Sequence, residues 1–313
     1  MRFALFGGIF WGLDTVILGI ALALAPYFDS DNAVAFASVV GSFLHDAFCA
    51  IWLFIYMGFK GRLKDTVQAL KTRHGKFIML GALLGGPIGM TGYVVAIGNI
   101  GAGYTAIISA FYPAVGALLA VFVLKERMHI GQFIALLAAI TGAIVMGYAS
   151  AGDSQTVNAA LGLAGALCCV LGWGSEAVIV AYGMREDSVD NETALQIRET
   201  TSAIVYGVVV LPLFGAWNFA VTSVPTFPTI YIALAGIAGA VSYLLYYKGI
   251  DKIGAARGMA LNITYSAWAV LFGLLLLGTI PTALSLTCCA VIICGTVLAA
   301  CDWDELFGKK IEG

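Results

Sequence analysis

Charge is what this sequence has least of. Only 11% of its 313 residues are Asp, Glu, Lys or Arg, where soluble domains carry about 25%. That scarcity excludes an ordinary water-soluble domain. The net charge of −2, with no basic tail, gives nucleic acid nothing to bind. Seven cysteines are present, at 49, 168, 169, 288, 289, 294 and 301, all within or beside apolar runs. None has zinc-type spacing, and thiols buried in apolar spans behave as small hydrophobes. We therefore expect no metal, no disulfide framework and no cofactor. A phosphate-binding Walker motif is also missing, so nothing points to an enzyme or to nucleotide-driven chemistry. "GALLGGPIG", 81–89, is rich in glycine but lies inside an apolar run, where small residues let helices approach closely.

What the chain has instead is hydrophobicity: 61% of its residues are hydrophobic and its mean hydropathy is +0.95. A bilayer core about 30 Å thick needs about 20 apolar residues as helix. Ten runs meet that length, at 3–25, 33–58, 77–98, 102–124, 129–149, 158–183, 193–215, 229–249, 255–278 and 282–301. They lack the alternation of barrel strands, so the expected fold is an all-α membrane protein. The first run is too long for a signal-peptide core and has no convincing cleavage site. We read it as a retained span.

The positive-inside rule supports this count. Lys60, Arg62, Lys64, Lys71, Arg73 and Lys76 crowd the second connection. Lys125, Arg127, Arg185, Arg198, Lys248, Lys252 and Arg257 mark the later even-numbered connections, and Arg2, Lys309 and Lys310 the termini. All sixteen basic residues thus fall on one face, which places both termini in the cytoplasm. The expected site is a cell membrane, with a bacterial inner membrane as the natural setting. The last residues, 303–313, form a short polar tail.

Ten spans divide into two halves, 1–150 and 151–302. "FWGLD" at 10–14 echoes "GWGSE" at 172–176, and "AIGNIGAGYTAI" at 96–107 aligns without gaps on "GIDKIGAARGMA" at 249–260. That register sets Tyr93 opposite Tyr246 and Tyr112 opposite Tyr265. Five spans per half is an odd number, so the repeats are inverted, and such folds place a substrate site at the repeat interface near mid-membrane.

Two Trp-x-x-acid pairs, Trp11/Asp14 and Trp173/Glu176, stand on these repeats. Asp14 sits about eleven residues into the first span, roughly 16 Å deep at 1.5 Å per residue. An isolated charge there costs about 2.5–3.5 kcal/mol. Two indoles and two carboxylates around one cavity suit a cation, since a desolvated cation over an indole gains about 2 kcal/mol or more. Tyr243, Tyr246 and Tyr247 share one face of the eighth span, though towards its cytoplasmic end. The ninth offers Asn262, Tyr265 and Trp268, and with Tyr93 and Tyr112 these could complete an aromatic cage. A packing seam of aromatic side chains is the plainer alternative. His45 and Asp46 lie near the middle of the second span. Arg198 and Glu199 lie at a comparable place early in the seventh, with Arg198 expected near the periphery. Intramembrane ionisable groups are functional candidates, and His titrates near neutrality. They suggest a polar network coupling transport to protons, or simply a cluster that joins helices.

The stretch 100–128, "IGAGYTAIISAFYPAVGALLAVFVLKERM", resembles the EamA-type segment of the drug/metabolite transporter superfamily in Gly101-Ala102, Ala106, Pro113 and Glu126. That resemblance implies a ten-helix carrier of two five-helix repeats working by alternating access. The second half departs from the pattern, with Ser266 for the proline and Thr279 for the glutamate. Trp11, Trp173 and Glu176 look like the LicB-type choline transporters, a bacterial branch of the superfamily. This implies import of choline, or a related quaternary ammonium, held in an aromatic cage. An exporter of amino acids or aromatic metabolites of the YddG type is the alternative. It would want a cationic subsite, for which Arg198 is the candidate. A receptor without net transport is a further alternative, disfavoured by the paired repeats.

Overall fold

The computed structural model describes residues 1–28, 31–150, 157–185, 189–301 and 303, without the side chains of 31–35, 102, 103, 106, 149 and 150. Trp303 is therefore the only described residue of the tail. No strand occurs among the described residues.

Among the described residues, ten helices are long and apolar enough to cross a membrane: Arg2–Leu22, Phe36–Phe59, Arg73–Gly101, Ile107–Leu124, Ile130–Tyr148, Ala159–Gly183, Asn191–Phe214, Phe227–Ile253, Ala255–Leu277 and Ala283–Ala300. The ten expected runs each correspond to one of these. A short helix, Leu63–Ala69, lies in the basic second connection. The eighth span runs four residues beyond its expected end, which carries its tyrosines deeper into the bundle.

The fourth and ninth spans are broken alike. Gly101 (φ 79, ψ 163) and Gly254 (φ 86, ψ 164) share a left-handed backbone that favours glycine. After each, a short helical stretch ends in a two-residue turn, at Ala110–Phe111 and Ile263–Thr264. A new helix then begins at Tyr112 or Tyr265. Lys125 (φ 57, ψ 31) and Gly278 (φ 68, ψ 15) close the two helical runs in the αL conformation. Each of these pairs falls in the ungapped register of the sequence repeat.

The halves interleave. The first span packs mainly on the eighth and ninth, and the sixth on the third and fourth. Glycine permits both close approaches. A Cβ on Gly12 would lie 2.9 Å from the Tyr265 carbonyl oxygen, and one on Gly174 would lie 2.9 Å from that of Tyr112. Each Trp-x-x-acid helix therefore presses its glycine against the helix break of the opposite half.

Among the contacts that tie the halves together on the basic face, two are made by carboxylates. Arg62 meets Asp190 and Glu192 at 2.6 Å each, while Lys60 lies 2.8 Å from Glu192. Partial burial opposes ionisation of Asp190, but hydrogen bonds from Arg62 and Thr193 outweigh it and hold its carboxyl below the usual range. Glu126 forms the second contact. Ala255 N–H donates to its Oε1 at 2.7 Å and Ala256 N–H to its Oε2 at 3.0 Å. The carboxylate thus caps the otherwise unpaired N-terminus of the ninth span.

Losing a helix cap costs about 0.5–2 kcal/mol. Glu126→Ala should accordingly lower the thermal midpoint of the purified protein by several degrees. Ligand affinity should be unchanged, because Glu126 does not line the central cavity. Thermal unfolding with and without ligand checks both parts.

Candidate functional site

A cavity of about 410 Å³ occupies the centre of the bundle. Its walls come from both halves, and it continues past Leu18, Leu22, Ser38, Val94 and Ile97, towards the end of the bundle opposite Arg2. Fourteen of the sixteen residues expected at the site line it: Trp11, Asp14, His45, Asp46, Tyr93, Tyr112, Trp173, Glu176, Arg198, Tyr243, Tyr246, Tyr247, Asn262 and Tyr265.

The aromatic side chains form two clusters, one around each tryptophan. Trp11 stacks on Tyr265 with ring centroids 5.2 Å apart and tilts against Tyr243 at 5.4 Å. Trp173 tilts against Tyr93 at 5.4 Å and meets Tyr112 edge-on at 5.6 Å. Tyr112 and Tyr265, equivalent in the repeat, thus serve opposite indoles. The repeat register suggested Tyr246 as the match for Tyr93, but Tyr243, one turn earlier, takes the place beside Trp11. Tyr246 and Tyr247 support it from behind, at 6.4 and 6.0 Å. The Asn262 amide lies 3.5 Å from the Tyr112 hydroxyl, at the outer limit of a hydrogen bond.

The charged side chains form one chain through the cavity wall. Asp14 Oδ1 lies 3.0 Å from His45 Nε2, and His45 Nδ1 lies 3.4 Å from Asp46 Oδ1. The Ser202 hydroxyl donates to Asp46 Oδ2 at 2.6 Å. Arg198 then gathers three carboxylates: Glu176 at 2.8 Å through Nε, Glu199 at 2.9 Å and Asp46 at 3.5 Å through Nη1. Its Nη2 donates to the Tyr243 hydroxyl at 3.3 Å, and the guanidinium lies 4.7 Å from the centre of that ring. Four carboxylates thus share one guanidinium and one imidazole.

Three expectations change. Arg198 is not peripheral: it is 4% exposed and buried by the second, third and eighth spans. Glu176 is consequently not a free carboxylate awaiting a cation, but already holds an internal one. Glu199 keeps its expected place in the polar network, fully buried outside the cavity lining and bonded to Arg198. Trp268 also misses the cavity. Its Cβ would lie 2.7 Å from a Cβ added at Gly12, so it packs against the first span.

Gly85 and Gly86 were not among the expected site residues. Leu84–Met90 is a π-helical turn with Pro87 inside it, an irregularity often found at functional sites. The Trp173 indole N–H donates to the Gly85 carbonyl at 3.0 Å, and the Tyr206 hydroxyl to that of Gly86 at 3.4 Å. A Cβ on Gly85 would stand 1.6 Å from Glu176 Oε2. Gly85→Ala must therefore displace the carboxylate and disturb its bond to Arg198. We expect at least a tenfold loss of ligand affinity, measured by titration of the purified variant. The only signal in the sequence was the Gly-Gly-Pro triplet within a span.

A pair of repeats with matched helix breaks, enclosing one polar and aromatic cavity at their interface, defines a membrane carrier of the inverted-repeat type. The chain belongs to the EamA-like transporter family, whose pattern it matches over residues 1–148 and again over 160–301. Among curated proteins it is similar to Protein LicB of Haemophilus influenzae, with 32% identity over 282 residues, covering 88% of this chain and 89% of that protein. A crystal structure of a protein 16% identical superposes with a TM-score of 0.70, covering 100% of this chain and 98% of that one. At that identity the likeness speaks for the fold alone.

Proposed function

We propose that the protein is a secondary transporter of a small organic cation, choline or a related quaternary ammonium. It moves its substrate inward, and the two halves, 1–150 and 151–302, rock about the central cavity in alternating access. Both termini lie in the cytoplasm, and the setting is a bacterial inner membrane. The observation that carries this reading is the pairing of two indole-centred aromatic clusters with an excess of carboxylate over basic groups. Indole and phenol faces attract a quaternary ammonium that offers no hydrogen bonds. The carboxyl groups of Asp14, Asp46 and Glu176 at the cavity wall offset the loss of its hydration.

Asp14, bound to the neutral or charged imidazole of His45, is the carboxylate best placed to face the cation. Glu176 contributes at one remove, through the field it shares with Arg198. The His45–Asp46–Arg198–Glu199 chain supplies titratable groups for proton coupling. If proton uptake does not accompany choline entry into liposomes, that coupling role is excluded.

Export of amino acids is the competing reading, and the central position of Arg198 speaks for it. Each nitrogen of that guanidinium is already engaged, however, by Glu176, Glu199, Asp46 or Tyr243. A substrate carboxylate would have to displace one of them. Counterflow decides between the two. Proteoliposomes loaded with choline should accumulate labelled choline and ignore phenylalanine. Exchange of phenylalanine with choline excluded would establish the exporter.

A further inference from the structure

A second cavity, of about 890 Å³, lies between the fourth, fifth, ninth and tenth spans. It is twice the size of the central one, and the two share a wall. Tyr93, Tyr112, Trp173 and Tyr265 line both. These are the rings assigned to the cation. Beyond them the lining holds no Asp, Glu, Lys, Arg or His; it is made largely of Ala143, Ala269, Val270, Gly273 and Leu284, with hydroxyls such as Ser285 and Thr282. The shared rings come from both clusters, Tyr93, Tyr112 and Trp173 from one and Tyr265 from the other, so the seam between the clusters is part of the wall the two cavities share. The four shared residues are all aromatic, so no charged side chain belongs to the common wall.

We propose that this cavity is a binding site for an apolar arm on a quaternary ammonium whose head occupies the central cage. The proposal rests on the cation reading given above and extends it to a class of ligand. Trimethylammonium compounds with one alkyl chain bind more tightly than choline, with the chain reaching through the seam. They act as blockers, because a ligand that spans two cavities holds the clusters on either side of it in one arrangement. Transfer of each methylene from water to an apolar site is worth about a two- to fourfold gain in affinity.

The test is a chain-length series of tetramethyl-, butyltrimethyl- and hexyltrimethylammonium, read as inhibition of choline counterflow in proteoliposomes and, in parallel, as thermal shift. Affinity should rise with each added methylene. Gly273 is the position at which to fill the cavity, since a Cβ there meets nothing within 4 Å. Gly273→Phe should flatten the series while choline binding stays within twofold of the unmodified protein. Ala143→Phe, from the opposite wall, should do the same and guards against a folding defect in either variant.

A flat series in the unmodified protein overturns the proposal, and is the result expected if a bilayer acyl chain fills the cavity. A rising series that both variants leave unchanged also overturns it, by placing the chain elsewhere. Absence of choline counterflow would instead count against the transport reading, and the thermal-shift series would still decide the fate of the second cavity.

Discussion

If the proposed cation reading holds, Trp173→Ala should lower choline affinity about thirtyfold or more. The figure follows from a desolvated cation–π contact of about 2 kcal/mol, with each 1.4 kcal/mol a factor of ten. Truncation does more than remove a ring face. It leaves the Gly85 carbonyl without its indole donor and removes the ring partner of Tyr93 and Tyr112. Trp173→Phe retains a ring but not the N–H, so its loss should be several-fold smaller. Trp11→Ala should lose a comparable amount, because Trp11 is the centre of the matching cluster. Calorimetric titration of the four proteins gives the order: unmodified, Trp173→Phe, then the two alanine variants together. Equal affinity in all four would mean that the rings are a packing seam.

Arg198→Gln has the largest effect on stability. The guanidinium lies among Glu176, Glu199 and Asp46, all buried. Taking away one partner of a buried ion pair costs about 3–5 kcal/mol, because the remaining charge is stranded in a low dielectric. Here three carboxylates lose their shared counter-ion. The variant should unfold at a markedly lower temperature, or yield little monodisperse protein. Arg198→Gln combined with Glu199→Gln removes one buried carboxyl partner along with the cation, and should recover part of the lost stability. A double variant no better than the single one would show that the two side chains are not energetically coupled. Thermal unfolding in a single detergent measures all three proteins.

Much of this fold is written in the distribution of sixteen basic residues. Their alternation gives the span count because a missing helix would shift every later cluster to the wrong face. The repeat could likewise be read at Gly101 and Gly254, whose backbone the register pairs correctly. Arg198 could not be placed from sequence. The start of the seventh span, Asn191–Ser202, is polar enough to pass for an interfacial segment. Only packing against other helices, rather than lipid, makes its depth tolerable. Trp268 failed for a related reason. It lies one turn after Tyr265 in the same helix, but its Cβ abuts Gly12 of the first span, a contact that spacing along one helix does not reveal. The role of Gly85 rests on a π-helical turn, and hydrophobic periodicity carries no sign of one. Of the acidic pairs, Asp14 and Glu176 were visible as misplaced carboxylates, whereas their different partners, His45 and Arg198, depend on contacts between distant spans.

In the proposed function, two indole-centred clusters and a surplus of carboxyl groups make a site for a quaternary ammonium. Calorimetric titration of the purified protein with choline, alongside phenylalanine and glutamate, tests it most directly. Choline should bind saturably at one site per chain, and neither amino acid should give a heat of binding. Binding of an amino acid with choline ignored would contradict it, and would make Arg198, rather than the tryptophans, the centre of the site.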